Sequence, residues 1–188
     1  MDSPNFIGLY PGGASEDYCD RMVEKFKEIK KVSSGTKGET TNGLRNRKDL
    51  SYLFERDAPE LAAETNQILD ICLDDYMDKF PSLGVLGFYS THVKVQETPP
   101  KGGFHMWHAE NAIRNGSSHR NLVWCIYLND VPEGEGETEF LEYGVKVAPQ
   151  RGLVTFFPSS WTHTHRGNPV YTHEKYIATG WYYLDGNS

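Results

Sequence analysis

The spacing of apolar residues changes once along this chain, near Leu83, and that change restricts the fold more than any other feature. Before Leu83, apolar side chains recur every three or four residues, as on one face of a helix. After it they alternate with polar ones, as on strands with one buried face. Helices followed by short strands predict an α+β fold in which the strands form a jelly roll. The strand-like runs are Val85–Gln96, Leu122–Leu128, Leu153–Phe157 and Lys175–Tyr183.

The chain is 188 residues long, which is enough for one sizeable core. We expect a single domain spanning residues 1–188. Within it, residues 83–188 would form the jelly-roll catalytic core, and residues 1–82 would support that core from outside as helices and a mobile loop.

The first helix is predicted after a short strand-like run at Phe6–Tyr10. Ser15 is a good N-cap, and the apolar pattern behind it ends near Val32. The next stretch, Ser33–Lys48, has no periodicity and is rich in Ser, Gly, Thr, Asn and basic residues. That composition predicts a long mobile loop.

The second helix has clearer boundary signals. Asp57 and Glu60 have the spacing of a capping box, and Pro59 stands in the first turn, where proline is well tolerated. The helix should end before Pro81. Its apolar stripe consists of Leu61, Ile68, Leu69, Cys72, Tyr76 and Met77.

Charge and cysteine content exclude several classes of protein. The chain has 19 Lys and Arg against 26 Asp and Glu, a net charge of −7, so we expect no nucleic-acid partner. No apolar run approaches the roughly 18 residues of a membrane span, and the N-terminus lacks the pattern of a signal peptide, so we expect no membrane association. The three cysteines are far apart in apolar segments, which favours free thiols in a reducing cytoplasm.

Histidines are the strongest candidates for metal ligands, because the chain has no Gly-rich phosphate loop and no Gly-x-Ser-x-Gly motif. His108 alone begins a His-x-acid triplet, with Glu110 two residues later. Residues two apart on an extended segment point to the same side. One such triplet is expected by chance, so a third ligand must support it. His163 and His165 are the candidates, since two histidines and one carboxylate leave three positions open on a metal.

The last strand-like run adds a second element to this hypothesis. Lys175, Ile177, Thr179 and Trp181 alternate with their neighbours and therefore share one strand face. That face presents a cation, a hydroxyl group and an aromatic ring together. The combination suits a dicarboxylate bound in an aromatic pocket.

These motifs resemble those of iron(II)- and 2-oxoglutarate-dependent oxygenases, closest to the prolyl 4-hydroxylase branch, over about half of the chain. In that family a proline follows the distal metal histidine by four residues, and a basic residue that binds the far carboxylate of 2-oxoglutarate follows it by nine or ten. Pro169 and Lys175 stand at these offsets from His165 and not from His163. The resemblance therefore selects His165 as the distal ligand.

The resemblance also extends to other segments. Thr179 and Trp181 match a threonine and a tryptophan that follow the family's basic residue by four and six positions. Residues 125–130 are similar to the strand whose tyrosine reaches the far carboxylate, a role that falls to Tyr127. Residues 134–140 resemble the family's Gly-Gly-x-Thr-x-Phe hairpin, and residues 156–158 resemble the strand before the distal histidine. Most members have aspartate where this chain has Glu110, whereas some relatives that act on amino acids have glutamate.

The resemblance implies a double-stranded β-helix braced by the N-terminal helices, with Fe(II) held by His108, Glu110 and His165. The cosubstrate 2-oxoglutarate would bind at Lys175 together with Tyr127, Thr179 and Trp181. Further cofactors are O2 and, as an additional candidate, ascorbate.

The implied activity is hydroxylation of an unactivated C–H bond, with release of succinate and CO2. The first hypothesis for the substrate is a prolyl residue in a peptide or protein. One alternative is a free amino acid or another small metabolite, favoured by Glu110. A second, of another class, is a jelly-roll binding module without catalysis. A nucleic-acid demethylase is disfavoured by the negative charge, and no feature fixes an oligomeric state.

Several further residues have both a structural and a functional interpretation. His105 and His163 would pack or contact substrate, whereas His92, His119 and His173 are predicted at the surface or in turns. Arg120 and Arg166 would be solvated or would meet a substrate carboxylate. Aromatic residues in a β-rich chain belong more often to the core than to a groove, and this applies to Trp107, Trp124 and Trp161. The acidic segment Asp130–Glu142 is predicted as a solvated turn, and it would favour a cationic or peptide substrate if it borders the active site. The basic residues Lys37, Arg45, Arg47 and Lys48 would instead favour an acidic substrate, so charge does not identify the substrate.

Overall fold

A computed structural model describes residues 4–32, 36–42, 45–85, 87–90, 92–111 and 120–184, with the backbone alone for 36–42 and 45–51. The first part contains strand β1 (Gly8–Tyr10), helix α1 (Glu16–Val32), strands β2 (Thr36–Asn42) and β3 (Arg45–Leu53), and helices α2 (Phe54–Asp57) and α3 (Pro59–Lys79). The second part contains strands β4 (Phe88–Ser90), β5 (Lys94–Thr98), β6 (Phe104–His108), β7 (Arg120–Tyr127), β8 (Thr138–Phe140), β9 (Val145–Val147), β10 (Val154–Pro158), β11 (His165–Gly167) and β12 (Lys175–Leu184). Short 3-10 turns lie at Pro4–Phe6, Pro81–Leu83 and Trp161–His163.

Helix α1 begins and ends where its sequence pattern predicts. The backbone N–H of Tyr18 donates to Ser15 Oγ at 3.1 Å, which confirms the N-cap. The helix ends at Val32, and its buried face comprises Tyr18, Cys19, Met22, Phe26 and Ile29. This face packs on the sheet and on α3 as one apolar cluster.

Helix α3 confirms the predicted proline start and its end before Pro81, but the predicted capping box is wrong. Asp57 is the last residue of α2, and its carboxylate accepts hydrogen bonds from the Arg56 guanidinium at 2.7 Å. The N-cap of α3 is Ala58, which has no side-chain cap. Because α2 already turns the chain before α3 begins, Asp57 sits inside a helical turn, whereas an N-cap residue adopts a non-helical conformation.

The prediction of a mobile loop over Ser33–Lys48 is also wrong for the residues that the structure describes. Strands β2 and β3 pair in an antiparallel register that runs from Thr36 opposite Ser51 to Asn42 opposite Arg45. Strand β3 then pairs with β5. A polar, threonine-rich hairpin is compatible with the edge of a sheet, and β2 is the last strand in the order of this sheet.

The strands form two sheets. The larger has the order β1-β10-β7-β12-β5-β3-β2, with β4 also paired to β12, and the smaller has the order β6-β11-β8-β9. The predicted single run Val85–Gln96 is divided into β4 and β5, which pair with opposite ends of β12. The other three predicted runs correspond to β7, β10 and β12. The α+β class and the double-stranded β-helix are thereby confirmed.

Two apolar clusters hold these layers together. The outer face of the large sheet packs on the helices through residues such as Trp124 and Phe156, both 0% exposed. The second cluster lies between the sheets and contains Ile7, Val123, Cys125, Tyr127, Phe140, Val147, Leu153 and Phe157. Each large apolar side chain so buried contributes roughly 1.5–3 kcal/mol of transfer free energy. The described part of the chain contains no helix that could span a lipid bilayer.

Candidate active site

The two sheets bring the three predicted metal ligands together. Strands β6 and β11 pair with His108 directly opposite His165, and Glu110 follows β6 by two residues. Glu110 Oε1 lies 3.2 Å from His108 Nε2 and 3.9 Å from His165 Nε2. One ligand atom from each residue lies within 4.8 Å of the other two. The site therefore offers two imidazoles and a carboxylate to a common point.

Backbone carbonyls fix the orientation of both imidazole rings. His108 Nδ1 is 3.0 Å from Met106 O, and His165 Nδ1 is 3.0 Å from His163 O. Since a carbonyl only accepts, Nδ1 carries the proton in each ring, and neutral rings present the Nε2 lone pair.

This arrangement fits a divalent cation. In neutral His108 the Nε2 lone pair faces a carboxylate oxygen of Glu110 at 3.2 Å, so two acceptors oppose each other. A cation bound between them would satisfy both. Two histidines and one carboxylate with open positions form the donor set of non-haem Fe(II) sites.

The second oxygen of Glu110 is held by two donors on the large sheet. Arg120 Nη1 donates to Glu110 Oε2 at 2.8 Å, and Trp181 Nε1 donates to the same oxygen at 3.1 Å. The Arg120 guanidinium also lies 3.6 Å from the centroid of the Trp181 ring. Glu110 is therefore positioned to offer Oε1 alone to a metal.

The ionisation states of the ligands also suit a cation. Burial opposes the charge on Glu110, but the neighbouring side chains of His108, His165 and Arg120 outweigh it and lower the pKa of Glu110 to about 2. Burial and the neighbouring His108 lower the pKa of His165 to about 4. Near neutral pH the site thus has an anionic carboxylate and a neutral distal imidazole.

A cavity of about 400 Å³ contains these ligands and the predicted cosubstrate residues. Lys175, Ile177, Thr179 and Trp181 all line it, so the predicted common face of β12 is confirmed. Lys175 is buried, and its Nζ donates to Gly136 O at 2.7 Å. Thr179 Oγ1 donates to Trp124 O at 2.8 Å.

Tyr127 lies behind the cavity wall. Its side chain is buried between the sheets, and its hydroxyl is 2.7 Å from Thr138 Oγ1. Thr138 itself lines the cavity. Tyr127 is thus connected to the cavity through Thr138, a residue of the hairpin segment that the sequence did not single out.

Three polar residues of β5 that no sequence motif indicated also line the cavity: Lys94, Gln96 and Thr98. Lys94 lies opposite Thr179, and Thr98 lies opposite Lys175 on β12. Arg120, which was predicted either to be solvated or to contact a substrate carboxylate, also lines the cavity. The alternation of β5 would have predicted its common face, but only the pairing with β12 places that face in the site.

The other histidines follow their structural interpretations. His163 is buried, its Nε2 donates to Asn5 O at 2.8 Å, and its ring packs against Tyr143. His105 lies on β6 at a position that alternates with the cavity-lining His108. His92 and His173 are exposed, as predicted. The predicted surface residue His119 lies outside the described residues.

Of the remaining candidates, those with described side chains do not line the cavity. Arg166 pairs with Glu139 at 2.8 Å and lies 4.4 Å from the centroid of Trp107. Trp124 belongs to the core, whereas Trp161 is 78% exposed. The acidic segment forms hydrogen bonds within the protein through Glu135, Glu137 and Glu139. For the basic residues Lys37, Arg45, Arg47 and Lys48 the structure describes the backbone alone.

Comparison with known proteins agrees with this geometry. Residues 92–183 match the family model of the 2OG-Fe(II) oxygenase superfamily. No curated protein matches the chain. The site and this match define the class: the chain carries a 2OG-Fe(II) oxygenase domain and is a 2-oxoglutarate-dependent dioxygenase. This class implies Fe(II) as the cofactor and 2-oxoglutarate and O2 as cosubstrates.

Three solved structures that are similar to this chain are prolyl hydroxylases. A viral collagen prolyl hydroxylase from Paramecium Bursaria Chlorella virus-1, in complex with 2OG, is 19% identical, with a TM-score of 0.70 over 95% of this chain and 96% of that one. A prolyl-4-hydroxylase from Pseudomonas putida is 20% identical, with a TM-score of 0.73 over 96% and 93%. A Trichoplax adhaerens prolyl hydroxylase, in complex with a hypoxia inducible factor oxygen degradation domain peptide, is 19% identical, with a TM-score of 0.73 over 96% and 84%. The architecture is therefore that of prolyl hydroxylases along nearly the whole chain.

Proposed function

We propose that this chain hydroxylates a prolyl residue in a peptide or protein. In this reaction 2-oxoglutarate would be oxidatively decarboxylated to succinate and CO2, with one oxygen atom of O2 entering succinate and the other entering the new hydroxyl group. The observation that carries the proposal is the convergence of His108, Glu110 and His165 in the cavity that Lys175 also lines. The choice of a prolyl residue as substrate is supported by the three solved prolyl hydroxylases that share this architecture. Their coverage of 95–96% of this chain supports a single oxygenase domain over residues 1–188.

The ligand roles follow from the geometry. His108 and His165 would bind Fe(II) through Nε2, because their Nδ1 atoms are held by carbonyls. Glu110 would bind through Oε1, because its Oε2 is held by Arg120 and Trp181. The iron supplies O2 activation and a chelation site for the keto acid.

Lys175 would bind the far carboxylate of 2-oxoglutarate by a charge-assisted hydrogen bond. It is buried, so water competes weakly for that contact. Thr179 shares the cavity face, and Tyr127 would contribute through Thr138. Trp181 belongs to the cofactor site through its hydrogen bond to Glu110. Ile177 and Phe157 provide apolar walls that exclude water from the reacting atoms.

Ascorbate is proposed as an accessory reductant. The three cysteines are free and buried, which supports a reducing compartment such as the cytoplasm. The negative net charge supports a peptide over a nucleic acid as the macromolecular partner.

A free amino acid or another small metabolite is the second candidate substrate. It is favoured by Glu110, which stands where most of the family has aspartate, and by the polar side chains of Lys94 and Gln96 in the cavity wall.

The test is 2-oxoglutarate turnover, measured as succinate release, in the presence of a Pro-rich peptide or of free amino acids. Stimulation by the peptide, with hydroxyproline found by mass spectrometry, supports the first candidate. Stimulation by a free amino acid alone would replace it with the second. Turnover and 2-oxoglutarate binding that survive His165→Ala and Glu110→Ala would instead indicate a binding module without catalysis.

A further inference from the structure

Lys175 reaches its cavity position through contacts between two loops that are distant in sequence. The first loop, residues 132–137, precedes β8, and the second, residues 168–174, precedes β12. Lys175 is the first residue of β12, and its Nζ donates to Gly136 O in the first loop at 2.7 Å. The position of the ammonium group therefore depends on how the two loops are held together.

Backbone contacts join the loops on either side of this hydrogen bond. The Gly136 N–H donates to Pro169 O at 2.9 Å, and the Asn168 N–H donates to Glu137 O at 2.8 Å. Gly136 has a φ of +68°, and a Cβ there would lie 2.8 Å from Val170 and 3.3 Å from Lys175 Cδ. The first loop thus approaches the lysine side chain closely at this point.

The carboxylate of Glu135 adds a side-chain contact from the first loop to the turn at residues 171–172, just before β12. Its Oε2 accepts the backbone N–H groups of Tyr171 at 2.6 Å and Thr172 at 3.0 Å. Its Oε1 accepts the Thr172 hydroxyl at 3.0 Å. The hydrogen bond from the Tyr171 N–H, with those from Thr172, keeps the pKa of Glu135 below its usual range against partial desolvation, so the side chain is anionic at neutral pH.

We propose that Glu135 is a positioning residue for the cosubstrate: by binding the 171–172 turn it fixes Gly136 O and the start of β12, and so holds the Lys175 ammonium group where the far carboxylate of 2-oxoglutarate binds. This inference rests on the proposed function, in which Lys175 is the anchor for that carboxylate. In the described part of the chain, Glu135 is not one of the residues that line the cavity. Its effect is therefore on 2-oxoglutarate affinity and not on the metal or on the chemical step.

The experiment is an anaerobic titration of the Fe(II)-loaded enzyme with 2-oxoglutarate, followed by visible charge-transfer absorbance, together with Mn(II) binding by electron paramagnetic resonance. Glu135→Gln should raise the Kd for 2-oxoglutarate about tenfold, since it weakens two to three charge-assisted hydrogen bonds. The KM for 2-oxoglutarate should rise in parallel, while kcat at saturation and the Kd for Mn(II) stay within about twofold. Glu133→Gln is the matched control, because Glu133 is exposed on the same loop, and it should leave all four values unchanged.

Lys175→Met separates this inference from the proposed function. If Lys175 anchors 2-oxoglutarate, Lys175→Met weakens its binding, and Glu135→Gln adds no further loss in that background. If Lys175→Met leaves the Kd for 2-oxoglutarate unchanged, Lys175 does not anchor 2-oxoglutarate, and that part of the proposed function is wrong. If Lys175→Met weakens binding but Glu135→Gln does not, only the positioning role is overturned. If Glu135→Gln lowers the affinity for Mn(II) as much as the affinity for 2-oxoglutarate, the fold is generally damaged, and the positioning role is also overturned.

A second variant keeps the test decisive if Glu135→Gln does not fold. Thr172→Val removes the hydroxyl donor to Glu135 and leaves the carboxylate in place. It should raise the Kd for 2-oxoglutarate in the same direction by about threefold, without a change in Mn(II) binding. An unchanged Kd in this variant would count against the positioning role.

Discussion

Replacing Trp181 with phenylalanine should weaken metal binding about tenfold. The change keeps an aromatic ring beneath the Arg120 guanidinium but removes the indole N–H that donates to Glu110 Oε2 at 3.1 Å. A hydrogen bond to a charged group contributes about 1.5–3 kcal/mol. The Glu110 side chain is 18% exposed and keeps its 2.8 Å contact with Arg120, so the lower end applies. About 1.4 kcal/mol corresponds to a tenfold change in an equilibrium constant.

The assay is Mn(II) binding to the metal-free protein, followed by calorimetry or electron paramagnetic resonance. Trp161→Phe is the matched control, because it makes the same chemical change at a side chain that is 78% exposed. The Kd for Mn(II) should rise about tenfold in Trp181→Phe and stay constant in Trp161→Phe. A Kd within twofold of the parent in Trp181→Phe would refute the claim that this donor orients the metal-binding carboxylate.

Three further predictions concern the scaffold. Burial raises the pKa of the Cys125 thiol to about 12 and the pKa values of the Cys19 and Cys72 thiols to about 11, so a thiol reagent at pH 8 should label no cysteine in the native protein. After denaturation the reagent should label three cysteines, as counted by absorbance, and rapid labelling of the native protein would contradict their burial. Ser15→Ala should lower the free energy of unfolding by about 1 kcal/mol in a denaturant titration, because the Tyr18 N–H loses its cap, whereas Ser15→Asn should be nearly neutral; equal loss in both would argue against the cap. Gly180→Val should reduce the thermal midpoint strongly, because even a Cβ there would lie 2.4 Å from His92 O and 2.6 Å from the Trp124 ring, and an unchanged midpoint would contradict that packing.

Long, regular apolar patterns made much of the scaffold predictable. The buried face of α1 and the strands β7, β10 and β12 all follow periods that tertiary contacts reinforce. The grouping of His108, Glu110 and His165 was predictable for a different reason: the spacing around His165 matched a family pattern, and alternation placed the first two on one side. Patterns of this kind act over a few residues and need no knowledge of pairing.

Features that depend on pairing between distant segments were not predictable in this way. Arg120 meets Glu110 because the start of β7 lies opposite Tyr183 on β12, and no local pattern sets that register. The β2–β3 hairpin was missed because its polar composition lacks the alternation of apolar and polar residues that predicts a strand. The cap at Asp57 failed because the preceding residues already form a helical turn.

The most direct test of the active site is anaerobic addition of Fe(II) and then 2-oxoglutarate to the protein. We expect a weak visible charge-transfer band, because a keto acid would chelate iron held by two histidines and a carboxylate, and we expect that band to be lost in His165→Ala. A folded parent protein that binds Fe(II) without developing the band, or a His165→Ala variant that retains it, would contradict the assignment of this cavity as the oxygenase site.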